Sequence, residues 1–289
     1  MHLQIRLYIL HITISFIGAG KVSTTLGIYF KKRGFEIGGY YSRNFESAKR
    51  AAVQTDSRPF KTLNELIDES DMVWITTPDD QIGHVVEQIA SVPISDENEK
   101  VVLHASGAHS IAVLSPLADA GFNVACAHPL MAFNNIESSV QKIGSAWFAT
   151  EEMTGNDFSL EAFFKLCGNR TFKIGSDKKT LYHAAACVLS NYMVTLLDAS
   201  YRIFEQSGMT KEDIQAATTP LLESVLENLK GKSCADALTG PIKRGDAKTV
   251  EMHLQNLNAE MPAMVELYKL LGRHTMQMTE DYRLKNILD

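Results

Sequence analysis

The sequence predicts an α/β domain followed by an all-helical one, and three observations carry that prediction. Up to about residue 176, short apolar runs rich in β-branched residues alternate with helical patterns, as βαβ units on a parallel sheet require. A glycine turn, Gly18-Ala19-Gly20, directly follows the first of these runs. After Gly175 strand signals stop, and helical periodicity continues, punctuated at Ser207-Gly208, Gly231, Gly240-Pro241, Gly245 and Gly272. The expected domains are 1–176 and 177–289, the second assigned to substrate binding and dimerisation; 289 residues suit two domains of roughly 100–200 each.

Taken in order, the expected strands are 12–17, 36–41, 72–76, 100–104, 123–127, 145–150 and 170–174. A helix over 21–32 shows Val22, Leu26 and Tyr29/Phe30 on one face and stops at Arg33-Gly34. Another starts near Asp79/Asp80, where a carboxylate can cap the first turn. The apolar run from Ile5 to Ile17 holds Arg6 and His11 and has no clear cleavage site, so it reads as a buried strand behind a loose extension. Leu181 to Phe204 is long enough for a bilayer but contains His183, Asn191, Asp198 and Arg202, and reads as the central helix of a soluble domain.

Composition narrows the function. Hydrophobic residues make up 45 % and charged residues 21 %, with a net charge of -6 and no long basic run, so neither a nucleic-acid nor a membrane partner is expected. Cys126, Cys167, Cys187 and Cys234 lie far apart without Cys/His clusters, which excludes a structural zinc motif and points to a reducing cytoplasm. No metal is expected.

The stretch from Ile14 to Ser23 is a strand, a glycine turn and a helix start, the context that gives a G-x-G-x-x-G/A-like pattern meaning. Gly18 permits the tight turn, and Gly20 lets the backbone approach a pyrophosphate stabilised by the helix N-terminus. Ser23 stands where a small residue serves helix-to-strand packing. A Rossmann dinucleotide-binding domain follows, with Gly18, Ala19, Gly20, Lys21 and Val22 around the pyrophosphate; the plain alternative is a packing turn. An acid about 20 residues on would select NAD, but this chain has Tyr41-Ser42-Arg43-Asn44. A guanidinium takes a 2′-phosphate bidentately and Ser42 and Asn44 can donate to it, so NADPH/NADP is the expected cofactor unless Arg43 is merely solvated. Thr76, Thr77 and Pro78 close a neighbouring strand and are expected on the ribose and nicotinamide side.

For the reacting centre, Lys179 and His183 are i,i+4 neighbours, and Ser190 and Asn191 follow on one broad helix face. Hydride transfer to a carbonyl needs a donor to polarise the oxygen and an acid for the forming alkoxide. Lys179 suits the acid role and His183 or Asn191 the polarising role; solvated or packing roles are the alternatives. Ser106 with the Gly107 amide could hold a carboxylate or shape a turn, and His128, held by Pro129, could be an acid/base or substrate donor. Thr239, Arg244 and Asp246 sit on a glycine-hinged connection. There Arg244 could clamp a substrate carboxylate, and Asp246 could orient Lys179 or cap a helix.

These motifs together resemble a family of Rossmann-type oxidoreductases. They are the glycine turn, His104-x-Ser106-Gly107, His128-Pro129-Leu130, Lys179-x-x-Tyr182-His183 with Ser190-Asn191, and Leu238-Thr239-Gly240-Pro241 through Arg244-Gly245-Asp246. The helical half of that family is catalogued as a domain of unknown function, and the family is similar to ketopantoate reductase, pyrroline-5-carboxylate reductase and 6-phosphogluconate dehydrogenase. The resemblance implies NADPH-dependent reduction of a 2-oxo acid, 2-dehydropantoate first, since some members are regarded as an alternative ketopantoate reductase. It also implies that Lys179 matches a general-acid lysine, with His183 and Cys187 where asparagines would stand. His128-Pro129-Leu130 is similar to a His-Pro-Met segment of prephenate dehydrogenases. The alternatives are an imine reductase of the pyrroline-5-carboxylate type and a non-catalytic NADP(H)-sensing module. A small carboxylate substrate and a homodimer complete the expectations.

Overall fold

The computed structural model describes residues 12–92, 100–152 and 158–289; the extension expected over residues 1–11 lies outside them. The α/β half is an eight-stranded sheet. Its strands are β1 (Thr13–Ile17), β2 (Glu36–Tyr41), β3 (Arg58–Pro59), β4 (Met72–Ile75), β5 (Val101–His104), β6 (Asn123–Pro129), β7 (Trp147–Glu152) and β8 (Arg170–Lys173), in the order β3-β2-β1-β4-β5-β6-β7-β8. All neighbours pair in parallel except β6 and β7, which run antiparallel. Strand order reverses at β1, so the crevice beside its carboxyl end is the topological switch point where such sheets bind ligands. The expected strands all form, with ends shifted by a residue or two. β3 is an addition, too short and too polar at two residues to show a period.

Helices cover both sheet faces, as continuous apolar strands demand. In β4, Met72 and Trp74 join Phe30, Phe163 and Phe164 in one core, and the alternate Val73 and Ile75 join Ile82, Val86 and Ile89 in the other. Helix α1 (Lys21–Lys32) presents Leu26, Tyr29 and Phe30 to the first core. The Ser23 hydroxyl, fully buried, donates back to the Gly20 carbonyl, so serine fills the small-residue position with its polar atom satisfied. Helix α2 spans Phe45–Thr55 and α3 spans Leu63–Asp68. Neither Asp79 nor Asp80 caps α4 (Ile82–Ala90), contrary to expectation. A 3-10 turn over Asp79–Gln81 intervenes, and the Gln81 amide donates to the Pro78 carbonyl instead. Helices α5 (Ser115–Asp119), α6 (Ile136–Lys142) and α7 (Leu160–Cys167) complete the layers.

The chain divides into two compact units, up to Ser190 and from Asn191. The division falls beyond residue 176, and Lys179 of α8 (Lys179–Cys187) is wholly buried against Cys126 of β6. The second unit contains α9 (Met193–Gln206), α10 (Lys211–Leu229), α11 (Cys234–Ala237), α12 (Pro241–Arg244), α13 (Ala247–Glu260), α14 (Val265–Thr279) and α15 (Lys285–Leu288), and no strand among its described residues. Val250, Met276, Leu284 and Leu288 form its buried cluster.

Helical turns succeed one another from Ser176 to Gln206, long and apolar enough to cross a membrane by length and composition, yet none of the apolar window is buried. Leu189 is 70 % and Val194 67 % exposed. The stretch expected as the central helix of a soluble domain thus leaves its apolar window uncovered among the described residues.

Candidate functional site

The glycine turn is laced to its neighbours at the sheet edge. The Gly18 amide donates to the Tyr41 carbonyl at 2.8 Å, and the Thr76 amide to the Ile17 carbonyl at 2.8 Å. Gly18 has φ +107°, and a Cβ there would lie 2.7 Å from Thr76 Oγ1, so both backbone sign and space require glycine. A Cβ on Gly20 would meet nothing within 4 Å, which leaves an open cradle above the first turn of α1.

This edge opens into a cleft of about 520 Å³ that brings together Gly18, Ala19, Gly20, Ser42, Arg43, Thr76, Thr77 and Pro78. Ser47, Gln81, His84 and Gln88 also line it, and no motif had marked them. The buried Thr77 hydroxyl has no hydrogen-bond partner among the described residues. Arg43 reaches only the Gln81 side chain, at 3.4 Å, and makes no ion pair among the described residues. A phosphate-bearing dinucleotide fits these features: a glycine cradle, an orphaned hydroxyl and an uncommitted guanidinium.

Three expected cofactor residues lie elsewhere. The Asn44 side chain caps α2, accepting from the Glu46 amide. Lys21 lines a separate surface cleft with Lys32 and Asn135. Val22 packs against the core, because helix geometry turns it towards the sheet.

Lys179 departs most from expectation. Its side chain is 1 % exposed, donates to Cys126 Sγ and lies 3.9 Å from Glu151. Glu151 also accepts from the Ile111 amide at 3.1 Å and from the Ser176 hydroxyl. A lysine so enclosed does not touch a substrate in this conformation. Burial pushes the Cys126 thiol up to about 11, with the Lys179 ammonium pulling the other way.

That ammonium acts on the neighbouring imidazoles. His104, fully buried at the end of β5, accepts from the Ser106 amide at Nδ1, so Nε2 carries the proton towards the Ser110 carbonyl. Burial first and Lys179 second push it down to about 3. His128 at the end of β6 is pushed down to about 4 by burial, then Lys179 and His183, against Asp79. Both folded values lie below the ordinary 6.5, so the unfolded chain takes up these protons first. Their stabilisation is complete above about pH 6.5 and is lost as pH falls towards the folded values. The urea midpoint should therefore be lower at pH 4.5 than at pH 7.5, and His104→Gln should lessen that difference. An unchanged drop in the variant would remove His104 as its source.

His128, Tyr182 and His183 meet at the sheet edge. His128 Nδ1 is 2.7 Å from the Tyr182 hydroxyl, and the His128 and His183 rings stand edge to face with centroids 6.0 Å apart. All three side chains are half-buried. Burial pushes the Tyr182 phenol up to about 12, so it stays protonated. Tyr182 belonged to a recognised motif, but its neutral aromatic character gave no sign of a polar role.

The remaining residues take plainer places. Ser106 Oγ accepts from the Ala108 and His109 amides and so shapes the turn. Asn191 falls in a π turn over Val188–Tyr192, at the start of the second unit. In the second unit, Asp246 caps α13 by accepting from the Thr249 amide and hydroxyl, while Thr239 and Arg244 are exposed.

Residues 4–129 match a Rossmann-like domain, and residues 146–275 match a domain of unknown function, DUF2520. No curated protein matches the chain. Among solved structures, a protein assigned as an NADP oxidoreductase from Bacteroides fragilis is 22 % identical with a TM-score of 0.71, covering 93 % of this chain and 99 % of that one. A reductive aminase from Aspergillus terreus, in complex with NADPH and ethyl-5-oxohexanoate, is 15 % identical at a TM-score of 0.67, covering 94 % and 95 %. A 1-pyrroline-5-carboxylate reductase from Streptococcus pyogenes is 18 % identical at 0.64, covering 94 % and 99 %. At such identities the likeness is one of fold.

Proposed function

We propose that this chain is an NADP(H)-dependent oxidoreductase that reduces a C=O or C=N bond of a small molecule. The observation that carries the reading is the cleft at the switch point, where Gly20, the unpartnered Thr77 hydroxyl and Arg43 surround one space. There the glycine turn and the α1 N-terminus would hold the pyrophosphate and Arg43 the 2′-phosphate. A bound reduced nicotinamide supplies the hydride. His128 and His183, whose rings stand edge to face, would hydrogen-bond the reacting oxygen or nitrogen.

Among substrates, the motif resemblance favours a 2-oxo acid, with 2-dehydropantoate first. The imine alternative is favoured by the burial of Lys179, because a protonated imine needs no protein acid of that strength. NADPH oxidation across a panel of 2-oxo acids and cyclic imines separates the two; NADPH binding without turnover of any member would leave the sensing module. Arg43→Ala is expected to weaken NADPH about 10–100-fold, as loss of a charged hydrogen bond does, with little effect on NADH. Equal losses for both cofactors in fluorescence titrations would remove Arg43 from the 2′-phosphate.

We further propose that a second copy of the chain covers the apolar side chains around Leu189 and Val194 and that residues 177–289 carry substrate binding. The area exposed there supports the first, and light scattering tests it. A cytoplasmic location agrees with four free cysteines.

A further inference from the structure

We infer that Tyr182 is a positioning residue whose phenolic O–H fixes His128 in the tautomer that carries its proton on Nε2 and turns it towards the Gly107 turn. A neutral imidazole has one donor and one acceptor nitrogen, and the bond made by one sets the state of the other. Of the two X–H groups available, the phenol is the more acidic, so across the 2.7 Å contact the hydroxyl donates and Nδ1 accepts. The Tyr182 ring is itself held, lying edge to face with His128 at 5.5 Å and with Phe172 of β8 at 5.7 Å. On the far side of the imidazole, Nε2 faces Gly107: a Cβ built there would lie 2.8 Å from it and 2.5 Å from His183 Cδ2. Glycine therefore preserves a space bordered by both imidazoles, and Tyr182 decides that His128 presents a donor to it.

The catalytic consequence rests on the reductase reading, in which that N–H bonds the substrate atom gaining electron density; the tautomer does not. Nitrogen-15 spectra of the full-length protein labelled at histidine, with His128 assigned by its loss in His128→Gln, should show Nδ1 unprotonated and Nε2 protonated in the wild type. Tyr182→Phe should abolish that single state while leaving the NADPH dissociation constant unchanged. With a substrate from the panel, kcat in this variant should fall about tenfold, as loss of one hydrogen bond allows, and KM less. A wild-type His128 protonated on Nδ1, or a tautomer unchanged in Tyr182→Phe, overturns the inference. Because the wild-type spectrum decides the tautomer alone, a poorly folded variant does not shelter it. Failure of NADPH to bind at all would instead count against the reductase reading.

Discussion

Lys179→Met should lower the free energy of unfolding by about 3–5 kcal/mol, the cost of leaving a buried charge without its partner. Glu151 is 8 % exposed and would keep only the Ile111 amide and the Ser176 hydroxyl to stabilise its carboxylate. Since total stabilities are on the order of 5–15 kcal/mol, the loss would be conspicuous as a reduced urea midpoint at constant slope. The double variant Lys179→Met/Glu151→Leu tests the cause, because removing both charges together restores much of the loss. A single variant within about 1 kcal/mol of wild type would instead describe a solvent-screened pair. The substitution also removes the second cause of the depressed His128 value, so His128 should titrate above its present 4 while burial still holds it below 6.5.

The contrast between Lys179 and the glycine turn shows what kind of information a sequence holds. A turn at Gly18 is a local property, fixed by φ and by adjoining strand and helix signals, and it was legible with its cleft partners Ser42, Arg43 and Thr76 to Pro78. Helical spacing likewise singled out Lys179 and His183, but spacing gives angles about an axis, not which angle meets the sheet. Lys179 turns inward to Cys126 and Glu151 on two other strands, contacts separated by tens of residues that no local pattern encodes. The π turn at Val188–Tyr192 adds an irregularity that uniform helical spacing cannot anticipate. Tyr182 remained hidden for a related reason, since its function depends on meeting His128 from a strand far back in the chain.

Gly107→Ala should reduce turnover by about 100-fold while leaving NADPH affinity near wild type, since displacing a reacting group by about 1 Å carries a cost of that order. Gly107 does not line the cofactor cleft, and the three atoms nearest to a methyl group here belong to His183 and His128. The obstruction falls on two imidazoles instead, with 2.5 Å to His183 Cδ2 and 2.8 Å to His128 Nε2. Neither distance is tolerable for a Cβ, so at least one ring must shift. His128 is tied to Tyr182 by a 2.7 Å hydrogen bond on its other edge, whereas His183 packs edge to face on His128 and reaches Cys187 Sγ only at 3.9 Å, so His183 should yield first. A steady-state comparison can tell the two apart: displacement of His183 alone should leave the His128 tautomer intact and be mimicked by His183→Ala. Gly107→Ala with unchanged kcat would mean that the space between the imidazoles is not where the substrate reacts.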